Sequence, residues 1–285
     1  MFWAVCGAAV CLAGWAGTPE RWSRISSEDV QADSGLSALG HSVVKGDHWV
    51  HLDAGDFVGH SDLESSVREA LTQAQFFRRR LNNTLPSEET RLQLFVISDS
   101  RNWDKSLHSV DGRQDALAAQ YRDEIFVFWD TNNLAADAVR LAHELVHGRL
   151  QSCRPNLPVW LEEGLAGYLG WEMASAYRHS RGQELFRKLP PVSGRDIVSM
   201  QELTAMTAYP DDPALARRLY RQSEEWIRQL AVRIGNDRLR EFVHAVCREG
   251  MLWNDVLRDR FGYSDQDFSA LEDEVREQLQ GGRER

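Results

Sequence analysis

The segment RLAHELVHGRL, Arg140–Leu150, sets His143 and His147 four residues apart with Glu144 beside the first. In a helix of 3.6 residues per turn this spacing projects both rings from one face, about 6 Å apart, which suits two adjacent corners of a tetrahedral metal site. Upstream, Thr131 to Asn133 offer cap residues, and Leu134, Ala138, Leu141 and Leu145 fall on one apolar stripe. Any fold this chain adopts must therefore bury one side of this helix while giving its histidine side room for a ligand. The bare pattern also arises by chance, and the plain alternative is a surface helix with hydrogen-bonded histidines. A third ligand has to decide.

The segment LPVWLEEGLAGYLG, residues 157–170, supplies a candidate. It reads as a second helix with Pro158 in its first turn, a position that tolerates proline. Glu163 follows His147 with fifteen residues between them, enough for the first helix to end, the loop QSCRPNLP to turn and the second helix to return. A carboxylate from the facing helix then completes three protein ligands, with a fourth position left for water. Gly164 inside a helix costs about 1 kcal/mol relative to alanine, which marks a place where another backbone or the metal helix comes close.

His-Glu-Leu-Val-His followed by WLEEGLAGY resembles the gluzincin metallopeptidases, and especially the compact bacterial peptidase MA-like domains. The likeness spans roughly 47–278, with strong motifs at 143–168 and weak similarity elsewhere. It implies a zincin-like fold and one Zn2+ per chain on His143, His147 and Glu163. Glu144 would be the general base that takes the proton of a metal-activated water. The resemblance selects Glu163 over Glu162, which helical rotation places about 100° away. Relatives often carry an acid at the position of Gly167, so the group that orients a ligating histidine must here come from elsewhere. For the oxyanion the resemblance points downstream to Tyr220, then Tyr209, with His244 also considered; Tyr168 reads as a packing residue.

Before the motif the chain alternates strands and a helix. DHWVHLDAGD (47–56) reads as a first strand, 61–81 as a helix capped by Ser61, RLQLFVISDS (91–100) as a buried strand, and EIFVFW (124–129) as another. From there on the pattern is helical, so the expected class is α+β: a small mixed sheet, then a helical region carrying the HExxH helix, in one domain over 46–285. EIFVFW is expected beside the metal helix, where an edge strand would pair with an extended peptide, although Phe126, Phe128 and Trp129 also suit the core.

Residues 1–17 carry no charged side chain and have the length of a secretory apolar region rather than of a membrane span. The expectation is a signal peptide and export to the periplasm or outside the cell, or a cytoplasmic protein if the segment is not one. Residues 18–45 read as a linker or loose arm. Cys153 and Cys247 would remain after cleavage, able to form one disulfide or to stay as buried thiols.

A net charge of −10 argues against a nucleic-acid partner, and no stable membrane span is expected. Arg178, Arg181, Arg187 and Lys188 read as a solvated helix face in preference to an anionic-substrate site, as do Arg78 to Arg80, and His41, His48, His51 and His60 as ordinary polar residues. The function these residues point to is zinc-dependent hydrolysis of peptide bonds, with a peptide or protein as substrate. The alternatives are an inactive zinc-binding interaction module and a zinc hydrolase of non-peptide amides.

Overall fold

A computed structural model describes residues 22–45, 48–85, 91–107, 117–151, 153, 157–186, 188–208, 210, 212–281 and 283–284. The apolar segment 1–17 read as a signal peptide lies outside them, as do Tyr209 and Arg187. The architecture is α+β, a small mixed sheet with a mostly helical remainder. In chain order the first half holds β1 (Ser23–Arg24), α1 (Ser27–Ala32), α2 (Ala38–Val43), β2 (Val50–Asp53), β3 (Phe57–Ser61), α3 (Glu64–Thr84), β4 (Leu92–Ile97), α4 (Ser100–Leu107), β5 (Ala118–Tyr121) and β6 (Glu124–Phe128). There follow α5 (Leu134–Leu150), α6 (Val159–Ser180), β7 (Lys188–Leu189), α7 (Met200–Thr204), α8 (Pro213–Ile234), α9 (Asn236–Glu249), α10 (Trp253–Phe261), α11 (Asp265–Gly281) and β8 (Arg283–Glu284).

The main sheet has the order β1-β2-β3-β4-β6-β5. Its centre is parallel, β3 to β4 and β4 to β6, whereas β1, β2 and β5 join antiparallel. Alternation along each strand splits the buried side chains between two faces. Leu94, Val96, Ile125 and Val127 meet α3, α5 and the later helices in the larger core. Phe95, Ile97 and Phe126 turn to the other face, where Val30, Leu36, Val44 and Trp103 cover them.

That second face corrects the expectation for residues 18–45. Its described part, from residue 22, is not a loose arm. Ser23 and Arg24 pair with Asp53 and Leu52, and Glu124 at the start of β6 accepts the Ser37 backbone N–H and hydroxyl, each at 2.6 Å, anchoring the start of α2. Three buried apolar residues, with Ile25, Leu39 and Val43 partly buried beside them, are enough, because the sheet face opposite them is already apolar; leaving such a face in water would cost about 25 cal/mol per Å2.

Three further expectations change. The first strand ends at Asp53, and a second, β3, occupies 57–61 up to the start of α3, so Ser61 closes a strand and Leu63 stands at the N-cap. The segment EIFVFW is an inner strand, flanked by β4 and β5, so the outermost strand beside α5 among the described residues is β5. Phe126 and Trp129 are core, as their apolar character allowed. Cys153 and Cys247 are both buried. No helix among the described residues is long and apolar enough to cross a membrane.

On the N-terminal face, His51 and His60, read as ordinary polar residues, are buried cross-strand partners. Their Nδ1 atoms lie 2.9 Å apart, and His60 Nε2 lies 2.9 Å from Gln93 Oε1. Burial pushes His60 down to about 4, against the hydrogen bond to Gln93 and the charge of Asp33, and burial also lowers His51.

Candidate metal centre

Helix α5 starts where Asn133 Oδ1 accepts the Ala136 N–H at 3.3 Å. Its stripe of Ala138, Leu141, Ala142 and Leu145 is buried in the main core, whereas Leu134, placed on the stripe by spacing, is largely exposed at the helix start. Each buried leucine contributes roughly 1.5–3 kcal/mol, which holds the histidine side at a fixed angle to the next helix. In the first turn Asp137 is fully buried, pairs with Arg140 and accepts the Asp130 N–H at 3.2 Å. Burial raises its carboxyl to about 6 against these hydrogen bonds and the Arg140 charge.

Pro158 forms the N-cap of α6, with φ near −61°, and its carbonyl accepts the N–H groups of Leu161 and Glu162 at 3.0 and 3.1 Å. The helix is buried almost all round from Trp160 to Ala166 because it runs between α5 and α8. Glycine permits this. A Cβ at Gly164 would sit 2.6 Å from the Ser223 carbonyl oxygen of α8, so the close neighbour anticipated there is α8 and not the metal helix. A Cβ at Gly170 would sit 3.0 Å from the His143 nitrogen, so α6 meets α5 backbone to backbone at the first histidine itself.

This crossing brings His143, His147 and Glu163 together, with one donor atom from each lying within 4.8 Å of the others. His143 Nε2 and His147 Nε2 are 3.0 Å apart, and Glu163 places Oε2 3.5 Å from the first and Oε1 3.6 Å from the second. A tetrahedron with metal–ligand bonds of about 2.1 Å has edges of roughly 3.4 Å, and the three separations bracket that value. The trio could hold a metal ion. The His147 side chain is 7% exposed and that of His143 28%, so the centre opens to solvent on the His143 side.

Glu162 has a role that reading the sequence missed. Its Oε1 lies 2.9 Å from His147 Nδ1, both groups buried. The turn of about 100° that takes Glu162 off the ligand face places it behind the second histidine. Accepting the Nδ1–H leaves Nε2 with its lone pair toward the trio, a tautomer assigned from the hydrogen bond. The signal was present in the doubled glutamate, but only the rotation of α6 against α5 tells which does what.

Charge at the centre is lopsided. Burial alone would lower the His147 imidazole, yet the charge of Glu163, hydrogen bonds to Glu162 and Glu163, and the charge of Glu144 raise it well above the ordinary value. Burial alone would raise Glu163, and the charge on His147 with hydrogen bonds from both histidines hold it well below the usual carboxylate range. Three carboxylates around two imidazoles demand a cation, either a proton or a metal.

No family model matches this chain, and no curated protein matches it. The chemistry of the centre has to be argued from its own residues.

Among the other residues singled out in sequence, Glu144 is buried on α5 between the two histidines. Tyr220 is half-buried on α8, three and four residues before Ser223 and Glu224, which meet α6 at Gly164 and Gly167. A Cβ at Gly167 would sit 3.1 Å from Glu224 Cβ, so the space an acidic side chain would take there is filled from α8. His244 lies on α9 with its Nδ1 3.4 Å from Glu249 Oε1, and it is not one of the trio. The Tyr168 hydroxyl reaches Asn236 at 3.4 Å, consistent with packing of α6 against α9.

Proposed function

We propose that this protein is a zinc-dependent metallopeptidase of gluzincin type, with a zincin-like fold and one Zn2+ held by His143, His147 and Glu163. The observation that carries the proposal is the convergence of these three side chains with Glu144 beside the first ligand on the same helix. Two imidazoles and one carboxylate are a donor set that suits zinc and leaves one position free for chemistry. A purely structural site has no use for a buried base next to a ligand.

Zn2+ bound here would supply a Lewis acid, activating water and polarising the scissile carbonyl. The Glu144 carboxylate takes the water's proton and passes it to the leaving amine. Glu162 holds the His147 Nδ1 proton and so keeps Nε2 unprotonated. Tyr220 donates its hydroxyl to the oxyanion that develops on the carbonyl. The outer edge of β5, beside α5, offers backbone groups on which an extended peptide can pair, the part first assigned to EIFVFW.

Elemental analysis of the dialysed protein should give close to one zinc per chain. Glu144→Gln should keep that zinc while losing roughly 10^2–10^4-fold in turnover of a peptide library. A chain that takes up no zinc sinks the proposal. Zinc uptake with no cleavage of any peptide or acyl amide by the unaltered protein would leave a metal-binding interaction module.

A further inference from the structure

The open end of the α5–α6 pair holds a second feature that the metal chemistry does not use. Between the start of α3, the turn before α5 and the last turns of α6 lies a cleft of about 310 Å3. Its walls include Ser65, Ser66, Trp129, Tyr177, Arg178 and Arg181. The centre's residue on α6 is Glu163, and Tyr177 follows it fourteen residues along, so the cleft lies about 20 Å from that ligand along the helix.

Arg140, Arg228 and Arg233, all partly buried, each hold a carboxylate. Arg178 and Arg181 form no ion pair with any described residue, although acids outnumber bases in the chain, 43 to 33. The Arg178 Nε is buried with no hydrogen-bond partner among the described residues. Arg181 stays beside Tyr177, its Nη1 3.4 Å from the hydroxyl and its guanidinium carbon 5.7 Å from the ring centre. The acid in the wall, Glu69, forms no ion pair with either arginine; its Oε1 accepts the Tyr177 hydroxyl at 2.8 Å and the Gln73 amide at 3.1 Å. Two guanidinium groups three residues apart on one helix therefore face the same space. The rest of the lining is mixed: Ser65, Ser66 and Glu69 of α3 are polar, whereas the rings of Trp129 and Tyr177 are buried and Leu134 is exposed at the rim.

We propose that this cleft binds a small anion built as a carboxylate on an apolar body. Arg178 and Arg181 take the carboxylate in fork geometry, and Trp129 and Tyr177 take the body. The volume is near the lower end for ligand pockets, about 300–1,000 Å3, which limits the ligand to the size of an acylated amino acid or a dipeptide. The site stands whether or not the metal centre is catalytic.

The test is calorimetric titration of the full chain after dialysis against a chelator, which keeps the probe off the metal centre. The probes are N-acetylphenylalanine and its primary amide, equal in shape and different in charge. The carboxylate should bind saturably, and the amide at least about tenfold more weakly, since a hydrogen bond to a charged group is worth roughly 1.5–3 kcal/mol. Arg181→Ala and Arg178→Ala should each lose about tenfold, and Arg217→Ala, on an exposed part of α8, should lose nothing. Circular dichroism shows which variants fold; if Arg178→Ala does not, Arg178→Lys, which keeps the charge but not the fork, takes its place. Absence of saturable binding, equal binding of the amide, or an equal loss in Arg217→Ala overturns the proposal.

Discussion

Among the described residues, two histidine pairs have nearly the same separation and opposite character. In one, His143 and His147 place their Nε2 atoms 3.0 Å apart; in the other, His51 and His60 place their Nδ1 atoms 2.9 Å apart. Around the first stand Glu144, Glu162 and Glu163, and His147 is raised well above its ordinary value. Around the second stand Gln93 and the ring of Phe95, with Asp33 the only acid among the described residues acting on it, and His60 falls to about 4. Distance between ring nitrogens is therefore no mark of a metal site. What separates the pairs is carboxylate, which makes a positive charge welcome at one and costly at the other.

Four experiments would break or sharpen this contrast. The largest effect is expected at Glu163, the one carboxylate within the trio. Glu163→Ala should lower zinc affinity by well over the roughly 10–100-fold typical of an outer partner, measured by competition with a chromogenic chelator, while Gln93→Ala should leave zinc binding unchanged. Equal effects would remove the distinction between the pairs.

Next comes acid. With a folded-state value of about 4 against an ordinary 6.5, His60 takes up a proton more readily in the unfolded chain. Its contribution is thus complete above pH 6.5 and is lost as pH falls through 4, roughly 3 kcal/mol in all. Urea melts of the unaltered protein and of His60→Gln should diverge less at pH 4.5 than at pH 7; a gap that does not change with pH would show that His60 is not held neutral.

A smaller change is expected from Glu162→Gln, which keeps the shape and removes the charge behind His147. Zinc affinity should fall about 10–100-fold, less than for Glu163→Ala, and a loss as large as that of Glu163→Ala would move the third ligand by one residue. The smallest effect belongs to Tyr220→Phe, with turnover down by about tenfold and zinc content unchanged. Unaltered kinetics would leave this tyrosine as a packing residue between α8 and α6.

The sequence made the metal trio legible because each member follows from counting along a helix: four residues between the histidines, and a loop's length to Glu163. Glu162 was not legible, because its contact with His147 depends on how α6 rolls against α5, which is decided by Gly164 on one side and Gly170 on the other. The inner strands were readable from apolar runs, whereas β5, spelled Ala-Ala-Gln-Tyr, carries no such run and is a strand only because β6 lies beside it. The same holds for α1 and α2, whose few apolar residues make sense only against Phe95 and Phe126. Arg178 and Arg181 looked like a solvated face because the cleft they line is made by three elements distant in sequence.

The link from Ser37 to Glu124 also has a temporal side. The two partners are 87 residues apart in the chain. At a synthesis rate of about 5–20 residues per second, the start of α2 exists for roughly 4–17 s before its acceptor has been made. During that interval Val30, Leu36 and Val44 can meet Phe95 and Ile97 of β4 but not Phe126, and the N-terminal layer lacks its anchor until β6 joins β4. The first-made part of the described chain in this sense waits for a partner made later, and a nascent chain stopped before residue 124 should expose it to protease whereas the finished protein should not.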